Sequence, residues 1–248
     1  MAKSISAPRL AEGSVCGAVA PAGLSLLELD RASLRARAYE AIRGSIITGE
    51  IADGQIYPVS FFGARLGVSA TPIREALFDL VGDGLIEVVR NRGFQLPRLS
   101  DRDMDELYEL RVMVELPGIV RVAREGLLRN PHGLRELALD LVELARRQEV
   151  VDYLSTGRAF HLGLLAGLEN RRLLQMVALL RDQARFHGIR GLAESGALMS
   201  SANEHLALLE AVEAGDVAAA EARIREHLAH TRLLWVEGVE AEAQTQLR

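Results

Sequence analysis

Three histidines stand where an all-helical stretch could bring them together: His161 in the pair Phe160-His161, His205 in Glu204-His205, and His227. A neutral imidazole is a good ligand for a divalent transition metal such as zinc. His205 lies ten residues before Gly215 and His227 twelve after it. At about 1.5 Å per helical residue these are roughly 15 and 18 Å from the turn, so antiparallel neighbours would carry them at nearly one height. Each histidine alone reads as an ordinary polar residue, as do His132, His187 and His230. Arg111 and Glu115 are four apart, which on a helix forms an ion pair of a few tenths of a kcal/mol.

A second group of polar residues surrounds two turns between Leu66 and Phe94, in LGVSATPIREALFDLVGDGLIEVVRNRGF. Gly67-Val68 is a tight bend, and Pro72 follows Ser69 and Thr71 where proline suits a first helical turn. Ile73, Leu77 and Leu80-Val81 make one apolar face, and Gly82 with Gly84 marks the stop. Leu85 to Val89 and Phe94 to Leu96 read as strands around the cationic turn Arg90-Asn91-Arg92-Gly93. Turn, helix and hairpin in this order make a winged helix-turn-helix, whose helix enters a major groove while the wing lies on backbone or minor groove. The plainer reading is a small α+β subdomain with solvated arginines.

The elements that must position these groups follow from composition. At 248 residues and 49% hydrophobic, the chain has room for two domains with buried cores. Leucine and alanine dominate and aromatics make up only 4%, which favours helices. No apolar run approaches the roughly 18 residues needed to cross a bilayer. One cysteine, Cys16, excludes an internal disulfide and fits a reducing, cytoplasmic setting. The net charge of −5 hides a division: residues 31–98 hold nine Arg against seven acids, and residues 99–248 eighteen Arg against twenty-four. The small positive excess falls on the part with the hairpin, and a dimer would double it.

Residues 1–30 hold Pro8, Pro21 and scattered glycines and read as a disordered arm, not as a signal peptide. Residues 31–98 form the winged unit. Its first helix is expected from Ser33, with Leu34, Ala38, Ile42 and Ile46 inward, and Ser60 is expected to cap a short helix from Phe61 to Leu66. Pro97 to Ser100 is the linker. Over 99–241 helices are expected near 101–128, 132–148, 150–167, 171–188, 200–213 and 217–241, an antiparallel all-α bundle. Ser100 should cap the first of these, ahead of Asp101, Asp103 and Asp105.

LGVSATPIREAL followed by GLIEVVRNRGF resembles the DNA-binding domain of the GntR superfamily of bacterial transcription regulators, over about residues 33–98. The resemblance implies DNA contacts by Arg65, Ser69, Thr71 and Arg74 around the recognition helix and by Arg90, Asn91, Arg92 and Gly93 at the wing. Ala70 departs from it, because the family usually has arginine there. FHLGLLAGLEN and EHLALLEAVEAGDVAAAEARIREHL resemble the FCD domain, the ligand-binding domain of the FadR branch, over about residues 101–235. By that resemblance His161, His205 and His227 are metal ligands, and Arg111 faces an effector cavity where its planar fork holds a carboxylate. The family's fourth ligand is an aspartate one turn before the first histidine. Gly157 stands there, and Asp152, on the far side of the helix, cannot replace it.

The implied protein is a homodimeric, ligand-responsive regulator, a repressor by the family's habit, binding a palindromic double-stranded operator and sensing a small organic acid. The alternative is a metal-dependent enzyme, since three histidines and an open position also hold catalytic zinc. That alternative lacks a general base, because Glu204 is expected to point away from the histidines.

Overall fold

The computed structural model describes residues 26–52, 54–185 and 198–246, with side chains over 33–52, 54–184 and 198–232. Cys16, His187, the glycine-marked break at 188–196 and most of the expected arm lie outside the described residues.

Helix α1 (Leu26–Ile47) begins seven residues before Ser33, inside the stretch read as an arm. The reason is local: after Gly23 the segment Leu26-Leu27-Glu28-Leu29-Asp30 contains helix formers and no breaker. Ala38, Ile42 and Ile46 are buried as expected, while Leu34 is only partly so. Helix α2 (Val59–Leu66) starts at Pro58, not Ser60; Pro58, with φ −71° and ψ 156°, is the N-cap and Ser60 falls inside the first turn. Gly67 closes α2 in the left-handed region and leads into α3 (Ala70–Gly82), with Ser69 as N-cap. Ile73, Ala76, Leu77 and Leu80 of α3 are fully buried against α1 and α2.

The hairpin is β1 (Glu87–Val89) and β2 (Gly93–Gln95), antiparallel, with Val88 opposite Phe94. It is shorter than Leu85 to Val89 suggested, because Leu85 and Ile86 turn into the core below α3. Tyr57 adds an unforeseen bridge: its N–H donates to the Phe94 carbonyl at 2.8 Å, and the Phe94 N–H donates back at 3.0 Å. The connector before α2 therefore acts as a third rung of the wing.

Ser100 caps α4 (Asp101–Glu125) in a reciprocal arrangement with Asp103, as the acidic first turn led one to expect. Then come α5 (Pro131–Arg147), α6 (Val150–Leu165) with a 3-10 turn at Ala166–Leu168, α7 (Arg171–Arg185), α8 (Leu198–Glu213) and α9 (Val217–Gln246). α9 packs along α4 and α8, and α5 packs on α6 and α8. Their shared core runs from Ile119 and Leu141 through Phe160 and Leu164 to Leu208 and Ile224. Among the described residues no helix is long and apolar enough to cross a membrane.

Candidate functional site

In the N-terminal unit the polar groups face outward. Ser69, Ala70, Thr71 and Arg74 are exposed on the first turns of α3, over a floor of Ile73 and Leu77. The Ser69 side chain makes no capping bond, so its hydroxyl is not committed to the helix. Arg90, Asn91 and Arg92 are exposed at the wing, and Asn91 takes φ 59° there. Arg65, at the end of α2, pairs with Glu50 at 2.8 Å; both are about half exposed, so the pair is weak and easily exchanged for another anion. Gly93 has a structural reason of its own. At φ +144°, a Cβ would lie 2.3 Å from the Tyr57 carbonyl oxygen, so only glycine lets the wing close on the connector.

In the helical unit the polar groups face inward. His161 (α6), His205 (α8) and His227 (α9) are buried to 3% exposure or less, and one ring nitrogen from each lies within 4.8 Å of the others. The ten- and twelve-residue spacing about Gly215 did bring His205 and His227 to one level, with ring centroids 4.5 Å apart. Phe160 packs edge-on against both His161 and His205.

The outer nitrogens have separate partners. His205 Nδ1 donates to the Ser201 carbonyl at 2.7 Å, and His227 Nδ1 donates to Glu204 at 2.9 Å. Those bonds leave the Nε2 lone pairs of both rings free. His161 Nε2 lies 3.2 Å from His227 Nε2, while its Nδ1 has no hydrogen-bond partner and sits 3.6 Å from Glu115. Two imidazole nitrogens sharing one tetrahedral zinc at about 2.0–2.1 Å would be about 3.3 Å apart, so the observed pair fits one edge of such a site. Without a metal, the same contact makes sense if His161 carries its proton on Nε2 and donates it to His227.

Burial, then the Arg181, neighbouring-histidine and Arg111 charges, pushes the His161 imidazole well below its ordinary pKa. Burial and His227 do the same to His205. His227 is pushed down to about 3, by burial first and by Arg181 and Arg111 next. The three rings are thus neutral at physiological pH, the state a metal ligand needs.

Two expectations from spacing are corrected. Glu204 does not point away from the histidines: its carboxylate is shared between His227 and His230, reaching His230 Nδ1 at 2.5 Å. The adjacent ligand His205 faces inward while Glu204, one position earlier on α8, reaches across to α9. His230, read as an ordinary polar residue, belongs to this arrangement, whereas His132 is exposed and pairs with Glu136. Arg111 forms the expected pair with Glu115, Nε to carboxylate at 2.7 Å, but deep in the interior. Arg181 of α7, not singled out from sequence, donates to the other oxygen of Glu115 at 2.5 Å. Burial alone would raise the Glu115 pKa, and the Arg111 and Arg181 charges hold it below the usual range. Only a pairing between distant helices revealed Arg181, so spacing along one helix carried no signal for it.

Gly157 faces the cluster: a Cβ there would be 3.8 Å from His205 Nε2 and 3.8 Å from Leu141, ordinary contact distances. Asp152 is exposed, on the opposite side of α6.

Residues 34–96 match the model of the bacterial regulatory proteins, gntR family, and residues 106–230 match the FCD domain. The chain belongs to the GntR family, with an FCD domain. It is 28% identical over 202 residues to the HTH-type transcriptional repressor GlaR of Escherichia coli, covering 77% of this chain and 90% of that one. It is 27% identical over 203 residues to a probable D-xylose utilization operon transcriptional repressor of Paenarthrobacter nicotinovorans, covering 81% and 88%. The solved structure of E. coli McbR/YncC has the same fold, with a TM-score of 0.74 at 22% identity over 82% of this chain and 97% of that one. This GntR protein is a DNA-binding transcription regulator with a C-terminal FCD domain, and the enzyme alternative falls with that assignment.

Proposed function

We propose that this protein is a homodimeric cytoplasmic repressor that binds a palindromic operator and releases or tightens on it in response to a small carboxylate. The observation that carries the sensing part is the convergence of three neutral imidazoles whose outer nitrogens are anchored or faced by Ser201, Glu204 and Glu115. His161, His205 and His227 would hold a divalent metal such as zinc through Nε2, and the ion would supply a Lewis-acidic position for an oxygen ligand. Gly157 puts no carboxylate beside His205, and a Cβ there would meet His205 Nε2 at an ordinary 3.8 Å, so the missing anionic ligand would be an oxygen brought by the effector. Arg111 and Arg181, both held on Glu115, add positive charge near His161 and His227.

Repressors among the similar proteins support the sign of regulation. A two-fold operator follows from two recognition helices in a dimer. Support for association comes from large apolar side chains left exposed on the packed helices α4 and α7, Leu110, Met113 and Met176.

Metal analysis of the purified protein, with and without a panel of organic acids, tests the site. The expected result is weak retention of zinc alone and tighter retention with an acid, since linkage makes each ligand favour the other. Gly157→Asp should strengthen zinc binding without acid, and His205→Ala should abolish it. A wild type that takes up no metal under any condition, together with a His205→Ala variant that binds acids normally, would sink this reading. Light scattering of the free protein tests the dimer, and a monomer that still binds the operator as one copy would overturn that part.

A further inference from the structure

Five consecutive residues of α7 touch most of the parts that matter. Leu179 packs against the core of the N-terminal unit. Leu180 shares a small core with Met104 and Leu107 at the start of α4. Arg181 holds Glu115, which in turn faces His161. Asp182, 3% exposed, pairs with Arg43 of α1 at 2.7 Å and with Arg158 of α6 at 2.9 Å. The Gln183 amide donates to the Asp83 carbonyl at 2.7 Å, at the residue that caps α3. This last contact is close-fitting: a Cβ on Gly84 would lie 2.9 Å from the Gln183 nitrogen.

Successive side chains on a helix point about 100° apart, so one turn can grip several neighbours but cannot shift while keeping all of them. Arg158 follows Gly157 directly and precedes His161 by three residues, which ties Asp182 to the same helix that carries the cluster. Ion pairs with a buried carboxylate such as Asp182 or Glu115 do not stretch cheaply, because the low dielectric around the acid penalises leaving its charge unpaired. A displacement of Glu115 or of α6 therefore reaches Arg43 and Asp83 through a few rigid bonds. Asp83 is in turn held to α1 by the Tyr39 hydroxyl at 2.6 Å, and Ala38, Ile42 and Ile46 of α1 share one buried core with Ile73, Leu77 and Leu80 of α3, which ties the two helices together.

We propose that Arg181-Asp182-Gln183 of α7 is the coupling element that passes the state of the histidine and Glu115 cluster to the recognition helix. Asp182 is its pivot, joining Arg158 beside the cluster to Arg43 beneath the DNA-binding unit. The linkage itself stands apart from the metal reading; only the identity of the signal rests on that reading.

The test is a double-mutant cycle on the affinity of the full-length protein for a duplex that the wild type selects from a random library. Glu115→Gln perturbs the cluster without touching the N-terminal unit. It should shift operator affinity by roughly 5-fold or more, as coupling between sites usually does, and by less than about 2-fold in an Asp182→Asn background. An equal shift in both backgrounds, or none in the wild type, overturns the proposal. If Glu115→Gln does not fold, His161→Asn takes its place; if Asp182→Asn does not fold, Gln183→Ala does. A separate arm adds zinc alone. A zinc-dependent affinity shift that disappears in Asp182→Asn while zinc uptake persists supports the coupling, and a shift that survives overturns it. No zinc uptake by the wild type counts against the metal reading, and the substitution cycle then decides the α7 proposal.

Discussion

The two halves of this molecule treat their polar residues in opposite ways. On the N-terminal unit Ser69, Thr71, Arg74, Arg90 and Arg92 stand exposed over an apolar floor. In the helical unit Arg111, Glu115, His161, His205 and His227 are buried, and each depends on another for its partner or protonation state. The difference follows from ligand size. DNA is a large polyanion that must be met from outside, where a cation costs little to keep hydrated. A small ligand is recognised by enclosure, and enclosure requires that charges be paired before the ligand arrives. Substitutions in the first set should therefore change binding and spare the fold, while substitutions in the second should reach both.

The largest effect expected from that contrast is on Glu115. Glu115→Ala leaves Arg111 and Arg181 without the carboxylate they share, and breaking a buried pair in this way costs about 3–5 kcal/mol. Arg74→Ala, on an exposed position, should stay within about 0.5 kcal/mol of the wild type. Urea unfolding of both variants measures the difference. Equal midpoints would erase the distinction between the two halves.

Acid provides a second test, confined to one half because residues 31–98 contain no histidine. His161, His205 and His227 are held neutral in the fold, so below pH 6.5 the unfolded chain binds protons that the native one refuses. Stability is then full above pH 6.5 and falls as pH drops toward the depressed native values. For metal-free protein the loss at pH 5.5 should be about 1.4 kcal/mol for each of the three histidines. Glu115, whose pKa is lowered, contributes only at more acid pH and stays outside this window. Unfolding midpoints at pH 7.5 and 5.5, compared with a His161→Asn, His205→Asn, His227→Asn variant, isolate the effect. A wild type as acid-sensitive as that variant would show that the cluster is not what titrates.

On the exposed half the effects are smaller and appear only with DNA. Arg74→Ala should cost about 1–3 kcal/mol of operator binding if the guanidinium reads a base, with lost discrimination against a scrambled duplex. Arg92→Ala should weaken both duplexes alike and lower the salt slope by about 1. Anisotropy titrations at several salt concentrations separate the two, and identical behaviour of the two variants would mean that helix and wing are not divided into reading and anchoring.

The same contrast explains what could be read from sequence. The order of α2, α3 and hairpin, the Ser100 cap and the bundle helices are local patterns, carried by Gly67, Pro72, Asp103 and the spacing of Leu77 and Leu80. His205 and His227 were legible as a pair because antiparallel helices about one turn translate spacing into height, whereas His161, on α6, joined them only through the family resemblance. Arg181, Arg158 and Asp182 were not, because each finds its partner on a helix far away in the chain, and exposed and buried arginines look alike in a sequence. Glu204 was misplaced because adjacency to His205 says where a side chain starts but not how far it reaches. The Tyr57 rung was hidden for a similar reason: one bridge residue leaves no alternating pattern.

The smallest effect expected is also the most specific to this chain. Ala70 occupies the first position of α3, exposed between Ser69 and Thr71, where the sequence resemblance implies an arginine. Ala70→Arg should add one phosphate contact, steepening the dependence of log affinity on log salt by about 0.9. A cation at a helix N-terminus opposes the dipole, so the free protein should lose a few tenths of a kcal/mol, about 0.3–1 at most. Gain on DNA with a slight loss in isolation is the signature of a residue that works only toward an external polyanion. It is the reverse of what Glu115 should show, whose loss is felt without any ligand. If Ala70→Arg leaves both the affinity and the salt slope unaltered, the first turn of α3 does not lie against the DNA backbone, and the docking of this helix must be redrawn.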